Sequence, residues 1–243
     1  LLRRDDTDTS IPPVPDYAFK EEPYYRPASG HIFLVTDYGA REGGTQDCTA
    51  AIQDALDAAE KAGGGTVYIP GGFYRLDGGL TVPSGVELRG SFDGAHYGNS
   101  TFNGTQLYVY GGKDDEKAPP LLTMGEGAGA KGFTVYYPEQ GLSDKGLTEE
   151  ERVHAYPAVF QADKGCWIEN VAMVNAYDGI DAMTNRCDGL VIRDVTGFAM
   201  REALRIGHGI VGGYIHNFHL NPSGWGQQGQ YPGGPTGAMS ADG

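Results

Sequence analysis

The segments WIENV (Trp167–Val171), VIRDV (Val191–Val195) and YIHNF (Tyr214–Phe218) repeat one pattern at shifts of 24 and 23 residues. When superposed, they share an aliphatic, a polar and a second apolar position: Ile168, Ile192 and Ile215; Asn170, Asp194 and Asn217; Val171, Val195 and Phe218. A period of roughly 20 to 30 residues in glycine-punctuated β segments is typical of stacked solenoid coils. The repeat therefore predicts an all-β solenoid with aliphatic ladders inside and a polar ladder at one turn.

Short apolar segments alternate with turn residues through most of the chain from residue 66 onward. The chain has 39 glycines, whereas ordinary usage near ~7 % would give roughly 17, so tight turns are frequent. The segments are too closely spaced for βαβ units, and hairpin signals such as Asn-Gly are nearly absent. An antiparallel sandwich with evenly spaced strands is the alternative to a solenoid.

The stretch TQDCTAAIQDALDAAEKAGGG (45–65) predicts a helix. Asp47 can cap its first turn. Its apolar residues recur on one face: Ala51, Ile52, Ala55, Leu56 and Ala59. The triple glycine then ends the helix, because glycine adopts left-handed conformations without a Cβ clash.

Residues Phe33–Gly90 carry a family likeness, in the sequence FLVTDYGAREGGTQDCTAAIQDALDAAEKAGGGTVYIPGGFYRLDGGLTVPSGVELRG. This segment resembles the N-terminal signature of the pectate-lyase-like superfamily, with its DYGA, TDDTAAIQ, GGGTVYIPAGTY and VPSGVxLxG elements. Gln46-Asp47-Cys48 stands where an acidic pair is usual. The resemblance implies a single-stranded right-handed parallel β-helix with an N-terminal capping α-helix. Members include hydrolases, polysaccharide lyases, epimerases and phage tailspikes, and most act on or bind carbohydrate polymers.

The charge balance limits the partners. A net charge of −14 argues against nucleic acid, because binding its phosphates needs clustered Lys and Arg. It also favours a neutral glycan over a polyuronate, unless cations bridge the protein and the polymer.

No apolar run is long enough to span a bilayer. Three cysteines (Cys48, Cys166 and Cys187) are interpreted as buried free thiols, with a Cys166–Cys187 bridge as the alternative.

The chain divides into two parts by composition. Residues 1–30 are proline-rich and lack a period of 2 or 3.6, which predicts an extended arm. Residues 31–243 form the predicted β-helix domain. The chain starts LLRRDDTDTS, without Met or the apolar segment of a signal peptide, and ends TGAMSADG without a closing strand. We therefore expect a processed chain whose β-helix continues beyond residue 243.

The strongest candidate for chemistry is NAYDGIDAMTNRCDGLVIRDV (Asn175–Val195). Asp178 and Asp181 lie three residues apart, and glycoside hydrolysis needs two carboxylates facing one groove. Asp188 on the following coil could join them. The segment is similar to the NTDG region of polygalacturonase-type hydrolases, but the paired DD of that family is missing. Alternatively, Asp178 caps a turn and Asp181 binds neighbouring backbone amides.

Basic side chains follow one coil later. The GHG motif around His208 resembles the histidine motif of the same hydrolases, and His208 could hold a carboxylate ionised or bind a sugar hydroxyl. The alternative is a structural histidine in a glycine turn. Arg201 and Arg205 could act as a base or clamp an acidic sugar. Ion pairing with Asp194 or Glu202 at the surface is the alternative for both arginines.

Aromatic residues provide candidate sugar-stacking surfaces. Tyr137, Tyr177 and Trp225 are predicted to lie in turns or loops, and the loop NPSGWGQQGQYPGGPTG (221–237) is predicted to form a groove wall. KDDEK (113–117) is interpreted as a solvated loop. A calcium site there is the less favoured interpretation, because its acidic residues lack the spacing of a dedicated site.

Together these features predict a secreted or extracellular protein that acts on polysaccharide. The first hypothesis is a glycoside hydrolase with Asp178 and Asp181 as acid and base, His208 beside them and no cofactor. The predicted substrate contacts are Asp188, Arg201, Arg205, Tyr177, Tyr137 and Trp225. One alternative is a polysaccharide lyase, which would need calcium or an Arg or Lys base. The other is a non-catalytic glycan-binding or tailspike-type structural protein.

Overall fold

The computed structural model describes residues 30–92, 104–141, 148 and 152–220. The predicted arm therefore lies outside the described residues, except for Gly30. A short 3-10 helix (Val35–Tyr38) precedes α1 (Thr49–Lys61). The strands are β1 (Ile32–Leu34), β2 (Gly65–Tyr68), β3 (Gly72–Leu76), β4 (Leu80–Val82), β5 (Val86–Arg89), β6 (Thr105–Val109), β7 (Leu122–Met124), β8 (Gly129–Tyr136), β9 (Ala158–Gln161), β10 (Trp167–Ala182), β11 (Val191–Ile206) and β12 (Tyr214–Leu220).

All pairs between these strands are parallel. The first face stacks β1, β2, β5 and β12 with the beginnings of β8, β10 and β11. The second face pairs β3 with β6, and β6 with the end of β8. The third face stacks β4, β7, β9 and the ends of β10 and β11. This topology is a parallel β-helix, and it excludes the antiparallel sandwich.

The predicted repeat sets the register of the last coils. Ile168 lies beside Ile192, which lies beside Ile215, and the second apolar position stacks in the same way. The polar ladder of Asn170, Asp194 and Asn217 is also present. Its members have φ values of 50°, 53° and 51°, in the left-handed region that Asn and Asp tolerate better than other non-glycine residues. The ladder therefore turns the chain at one corner of each of these three coils.

Asn170→Ala is expected to lower the free energy of unfolding by about 2 kcal/mol. The change places a Cβ-bearing residue without a polar side chain in the left-handed region, and it removes the bond from Asn170 Nδ2 to the Phe92 carbonyl (2.7 Å). Urea unfolding would measure the loss. Asn170→Gly is the control, because it relieves the backbone strain but not the lost bond. Equal stability of the two variants would contradict the strain argument.

The helix α1 buries one apolar stripe, formed by Ile52, Ala55, Leu56 and Ala59. This stripe packs against β1, β2, β4 and β5. Asp47 Oδ1 accepts the Thr49 amide at 2.9 Å, as a residue at the start of a helix can. Gly63 and Gly64 follow the helix with positive φ, as predicted, and Gly65 already begins β2. That α1 caps the open end of the solenoid stays a prediction.

The three cysteines are buried and free, which confirms the free-thiol interpretation. Burial raises the pKa of the Cys187 thiol to about 12, so the thiol is protonated at neutral pH. Within the described residues, no helix is long and apolar enough to cross a lipid bilayer.

Candidate functional site

A groove of about 810 Å³ lies along the third face of the β-helix. The ends of β9, β10 and β11 form its floor, and the loop between β6 and β7 forms one wall. The floor residues are Ala158, Gln161, Asp178, Asp181, Arg201 and Arg205. The structure therefore brings together four charged residues that the sequence analysis predicted as site residues on two successive coils: Asp178, Asp181, Arg201 and Arg205.

Asp178 is held by Arg201 from the next coil. Its carboxylate is buried on β10, with 7% of the side chain exposed, and accepts bonds from Arg201 Nε (3.0 Å) and Nη2 (2.5 Å). Arg201 also lies over the ring of Tyr177, with Cζ 4.6 Å from the ring centroid. The bonds to Asp178, followed by the bond to Glu116, raise the pKa of Arg201 further above its ordinary value. Arg201 is therefore a permanent cation and is unsuited to act as a general base.

Asp181 lies next to the last residue of β10. Its Oδ1 accepts the amides of Met183 (2.9 Å) and Thr184 (3.0 Å), and its Oδ2 accepts the Thr184 hydroxyl (2.6 Å). Arg205 Nη2 adds a bond of 3.2 Å to Oδ2. Burial alone would raise the pKa of Asp181, but these bonds and Arg205 outweigh it, so the pKa lies below its ordinary value. Asp181 is thus ionised near neutral pH and binds neighbouring amides, as in the structural alternative.

Thr184→Val is expected to destabilise the protein at neutral pH and progressively less in acid. An aspartate with a lowered folded pKa stabilises the fold above its unfolded pKa, and that contribution is lost as the pH falls through the folded value. The difference in unfolding midpoint should be constant from about pH 5 to pH 7 and should shrink below the ordinary aspartate value of 3.8. Thr81→Val, on an exposed residue of β4, is the control. A pH-independent difference would contradict the assignment.

The loop KDDEK was interpreted as solvated, but it also contributes to the groove wall. Glu116 accepts a bond from Arg201 Nη1 at 2.7 Å, across 85 residues of sequence. Asp114, with φ of 58°, lines the groove and contacts the Nδ1 atom of His154 at 3.0 Å. His154 is fully buried. In the sequence, the acidic run at 114–116 was the only feature that drew attention to this loop. It did not indicate that the loop would contact Arg201 and His154.

No group of three or more His, Cys, Asp or Glu residues among the described residues has a metal-binding arrangement. That the protein needs no cofactor, with calcium as the less favoured alternative, stays a prediction.

The predicted site residues His208 and Asp188 do not line the groove. His208 is exposed and follows the end of β11. The last pair between β10 and β11 is Ala182 with Ile206, so His208 lies beside Thr184 if the same register continues for two residues. It does not contact Asp178 or Asp181 in the structure. Asp188 lies in the turn between β10 and β11, where it accepts the Val211 amide (2.9 Å) and the Arg186 Nε–H (2.8 Å). Asp188 therefore joins successive coils at a different corner.

The predicted aromatic surfaces are also corrected in part. Tyr137 is 1% exposed, with its ring centroid 4.6 Å from that of Tyr156, so it belongs to the core and cannot stack on a sugar. Tyr177 is half-buried, and Arg201 covers one face of its ring. Trp225 and the 221–237 loop lie outside the described residues. The alternative pairing with Glu202 is observed for Arg205 (3.3 Å), whereas Arg201 pairs with Asp178 and Glu116.

Comparison with known proteins agrees with this architecture. Residues 32–118 match the family model described as rhamnogalacturonase A/epimerase, pectate lyase-like. Alginate lyase 7 of Azotobacter vinelandii is 62% identical over 56 residues, which cover 23% of this chain and 6% of the lyase. A probable rhamnogalacturonase A of Aspergillus niger is 30% identical over 110 residues, which cover 45% of this chain and 23% of that protein.

Among solved structures, the A-module of the mannuronan C-5 epimerase AlgE4 of Azotobacter vinelandii has a TM-score of 0.52 and 26% identity. The match covers 79% of this chain and 50% of the A-module. The chain spans less than a quarter of the length of the curated relatives that it matches.

The fold and the groove thus define a parallel β-helix protein with a charged groove on one face. Its residues 32–118 match the pectate lyase-like family model, and the chain shares the parallel β-helix fold with the epimerase A-module.

Proposed function

We propose that the protein is a secreted enzyme that binds a polysaccharide containing uronic acid residues in the groove and acts on it there. The observation that carries this proposal is the pair Arg201 and Arg205. Their side chains are 39% and 37% exposed, and the aspartates that hold them are buried. An arginine fork is the side chain best suited to a carboxylate. The names of the relatives, an alginate lyase, a rhamnogalacturonase and a mannuronan epimerase, also refer to uronic-acid polymers.

The net charge of −14 had favoured a neutral glycan. Charges separated by more than about 10 Å are largely screened at ordinary ionic strength, so the surface that meets the substrate matters more than the total. Asp178 and Asp181 lie beneath the arginines and are already paired with them. The guanidinium groups are therefore the exposed charges of the groove floor, and the wall adds the carboxylates of Asp114, Asp115 and Glu116.

The reaction that this arrangement supports best is transfer of the proton from the sugar carbon that bears the carboxylate to an ionised carboxylate of the groove, such as Asp181. Negative charge then develops on the sugar carboxylate, and a fixed cation stabilises it. Arg201, which stays protonated, fits this role as a clamp rather than as the base. Elimination would follow in a lyase, and return of a proton to the other face would follow in an epimerase.

Glycoside hydrolysis is the second candidate, because Asp178 and Asp181 both line the groove. The lowered pKa of Asp181 suits a carboxylate that activates water or attacks the sugar, but not a proton donor. Asp178 would then have to donate the proton, although both of its oxygens accept bonds from Arg201. This conflict places hydrolysis second.

Incubation with polymannuronate, polygalacturonate, rhamnogalacturonan and a neutral glucan, with and without chelator, would test the proposal. Unsaturated uronic acid products, or a changed uronic acid composition without cleavage, would support proton abstraction. New reducing ends without unsaturation, abolished by Asp178→Asn, would support hydrolysis. Cleavage of the neutral glucan alone would contradict the uronate proposal, and binding without any product would indicate a glycan-binding protein.

A further inference from the structure

Arg201 contacts two carboxylates that differ in burial. Asp178 lies on a strand, is 7% exposed and accepts two of the guanidinium bonds. Glu116 lies on the loop between β6 and β7, is 46% exposed and accepts one bond, from Nη1. A single hydrogen bond to an exposed, flexible carboxylate contributes little to stability. Breaking a two-bond ion pair with a buried carboxylate is costly, because it leaves a buried charge unpaired. If one partner leaves Arg201, it is therefore Glu116.

The loop that carries Glu116 is held independently of that bond. The Asp114 amide binds the Ala155 carbonyl at 2.8 Å, and the Ala118 amide binds the Asp115 carbonyl at 3.1 Å. Asp115 Oδ1 also accepts the Lys117 amide at 3.0 Å. Glu116 can therefore leave Arg201 by rotation of its own side chain, while the groove wall stays in place.

We propose that Glu116 occupies the position of a substrate carboxylate on Arg201 and is displaced by it. This inference rests on the proposed function, and it makes Glu116 a specificity-determining residue. A sugar carboxylate restores both the hydrogen bond and the charge pairing at Nη1. A neutral hydroxyl restores only the hydrogen bond, so it competes poorly with Glu116. The internal carboxylate thus weakens the binding of acidic sugars by competition, whereas neutral sugars do not displace it and bind independently of Glu116.

Arg205, four residues further along β11, shows the same arrangement. Its buried partner is Asp181, and its exposed partner is Glu202, with 47% of the side chain exposed and a distance of 3.3 Å from Arg205 Nε. Each groove arginine thus has one buried aspartate that fixes it and one exposed glutamate that can be exchanged. Glu116 is the better test, because it lines the groove and Glu202 does not.

Calorimetric binding of hexamers of galacturonic acid, mannuronic acid and glucose would test the inference. Glu116→Gln is expected to bind whichever acidic hexamer the wild type binds about threefold more tightly than does Asp115→Asn. Asp115→Asn is the matched control, because it removes the same charge from the same groove wall without touching Arg201. The affinity for the glucose hexamer should not differ between the two variants by this factor.

Equal affinities of the two variants for the acidic hexamer would overturn the exchange while leaving the proposed function intact, since the wild type would still bind it. A similar gain for the glucose hexamer would also overturn it, because the effect would not depend on a carboxylate. If neither the wild type nor either variant binds an acidic hexamer, the proposed function fails, and the inference fails with it.

Discussion

Replacing Arg201 with glutamine is expected to lower kcat/KM on the acidic polysaccharide by about 100-fold, or about 2.7 kcal/mol of transition-state stabilisation. Arg201 is the cation that the groove presents beside Asp178, and its bonds to that aspartate hold it in position. The same change leaves the Asp178 carboxylate buried without its partner, which should also cost about 1 to 3 kcal/mol of stability. Product formation and thermal unfolding would be measured on the same samples.

Two further variants separate these effects. Arg201→Lys keeps the charge but loses the planar fork, so we expect an intermediate loss of about 10-fold. Asp178→Asn combined with Arg201→Gln removes both charges, and it should recover stability without recovering activity. If the double variant regains most of the activity, Arg201 serves the fold and is not a substrate clamp.

Gly197→Ala is expected to destabilise the β-helix by about 3 kcal/mol or more, the largest effect on stability that we expect from one methyl group. Gly197 lies on β11 opposite Met173, just before the pairing of β10 and β11 shifts. It has a φ of 126°, which residues with a Cβ rarely adopt, and a Cβ there would overlap the Met173 carbonyl oxygen. The atoms that an added Cβ would meet all belong to the backbone of Met173. Because this backbone is paired between stacked coils, it cannot move aside at low cost.

Gly213→Ala is the matched control for this change. Its φ is not in the left-handed region, and the atoms nearest to an added Cβ lie 3.6 Å away, at ordinary contact distance. Its effect should stay within about 1 kcal/mol. Thermal unfolding followed by far-ultraviolet circular dichroism would compare the two variants. Similar midpoints would contradict the proposed backbone clash at Gly197.

The coil repeat was predictable residue by residue because a solenoid stacks its coils by translation. A shift of 24 residues in sequence is then one step between neighbouring strands, which is why Ile168 meets Ile192. The same shift brings Arg205 beside Asp181, and a shift of 23 brings Arg201 to Asp178. The charged floor of the groove was therefore within reach of sequence analysis, although the sequence was interpreted as an acid and base pair rather than as two ion pairs.

The groove wall was not predictable in this way. Glu116 and Asp114 lie in a loop outside the repeat, and their contacts with Arg201 and His154 depend on where that loop folds over the coil. The sequence predicted that Tyr137 lies in a turn or loop where it could stack on a sugar. Its burial depends instead on Tyr156, which lies beyond the next loop.

The sequence by itself determined the parallel β-helix, the register of its last coils and the position of the polar ladder, because like residues must stack when identical turns repeat. Only the tertiary structure decided which charges face the groove, how deeply each is buried and which partner it has. Those properties arise from loops that follow no period, and from the balance between burial and hydrogen bonding at each carboxylate. That balance leaves Asp178 and Asp181 fixed beneath their arginines and Glu116 at the surface.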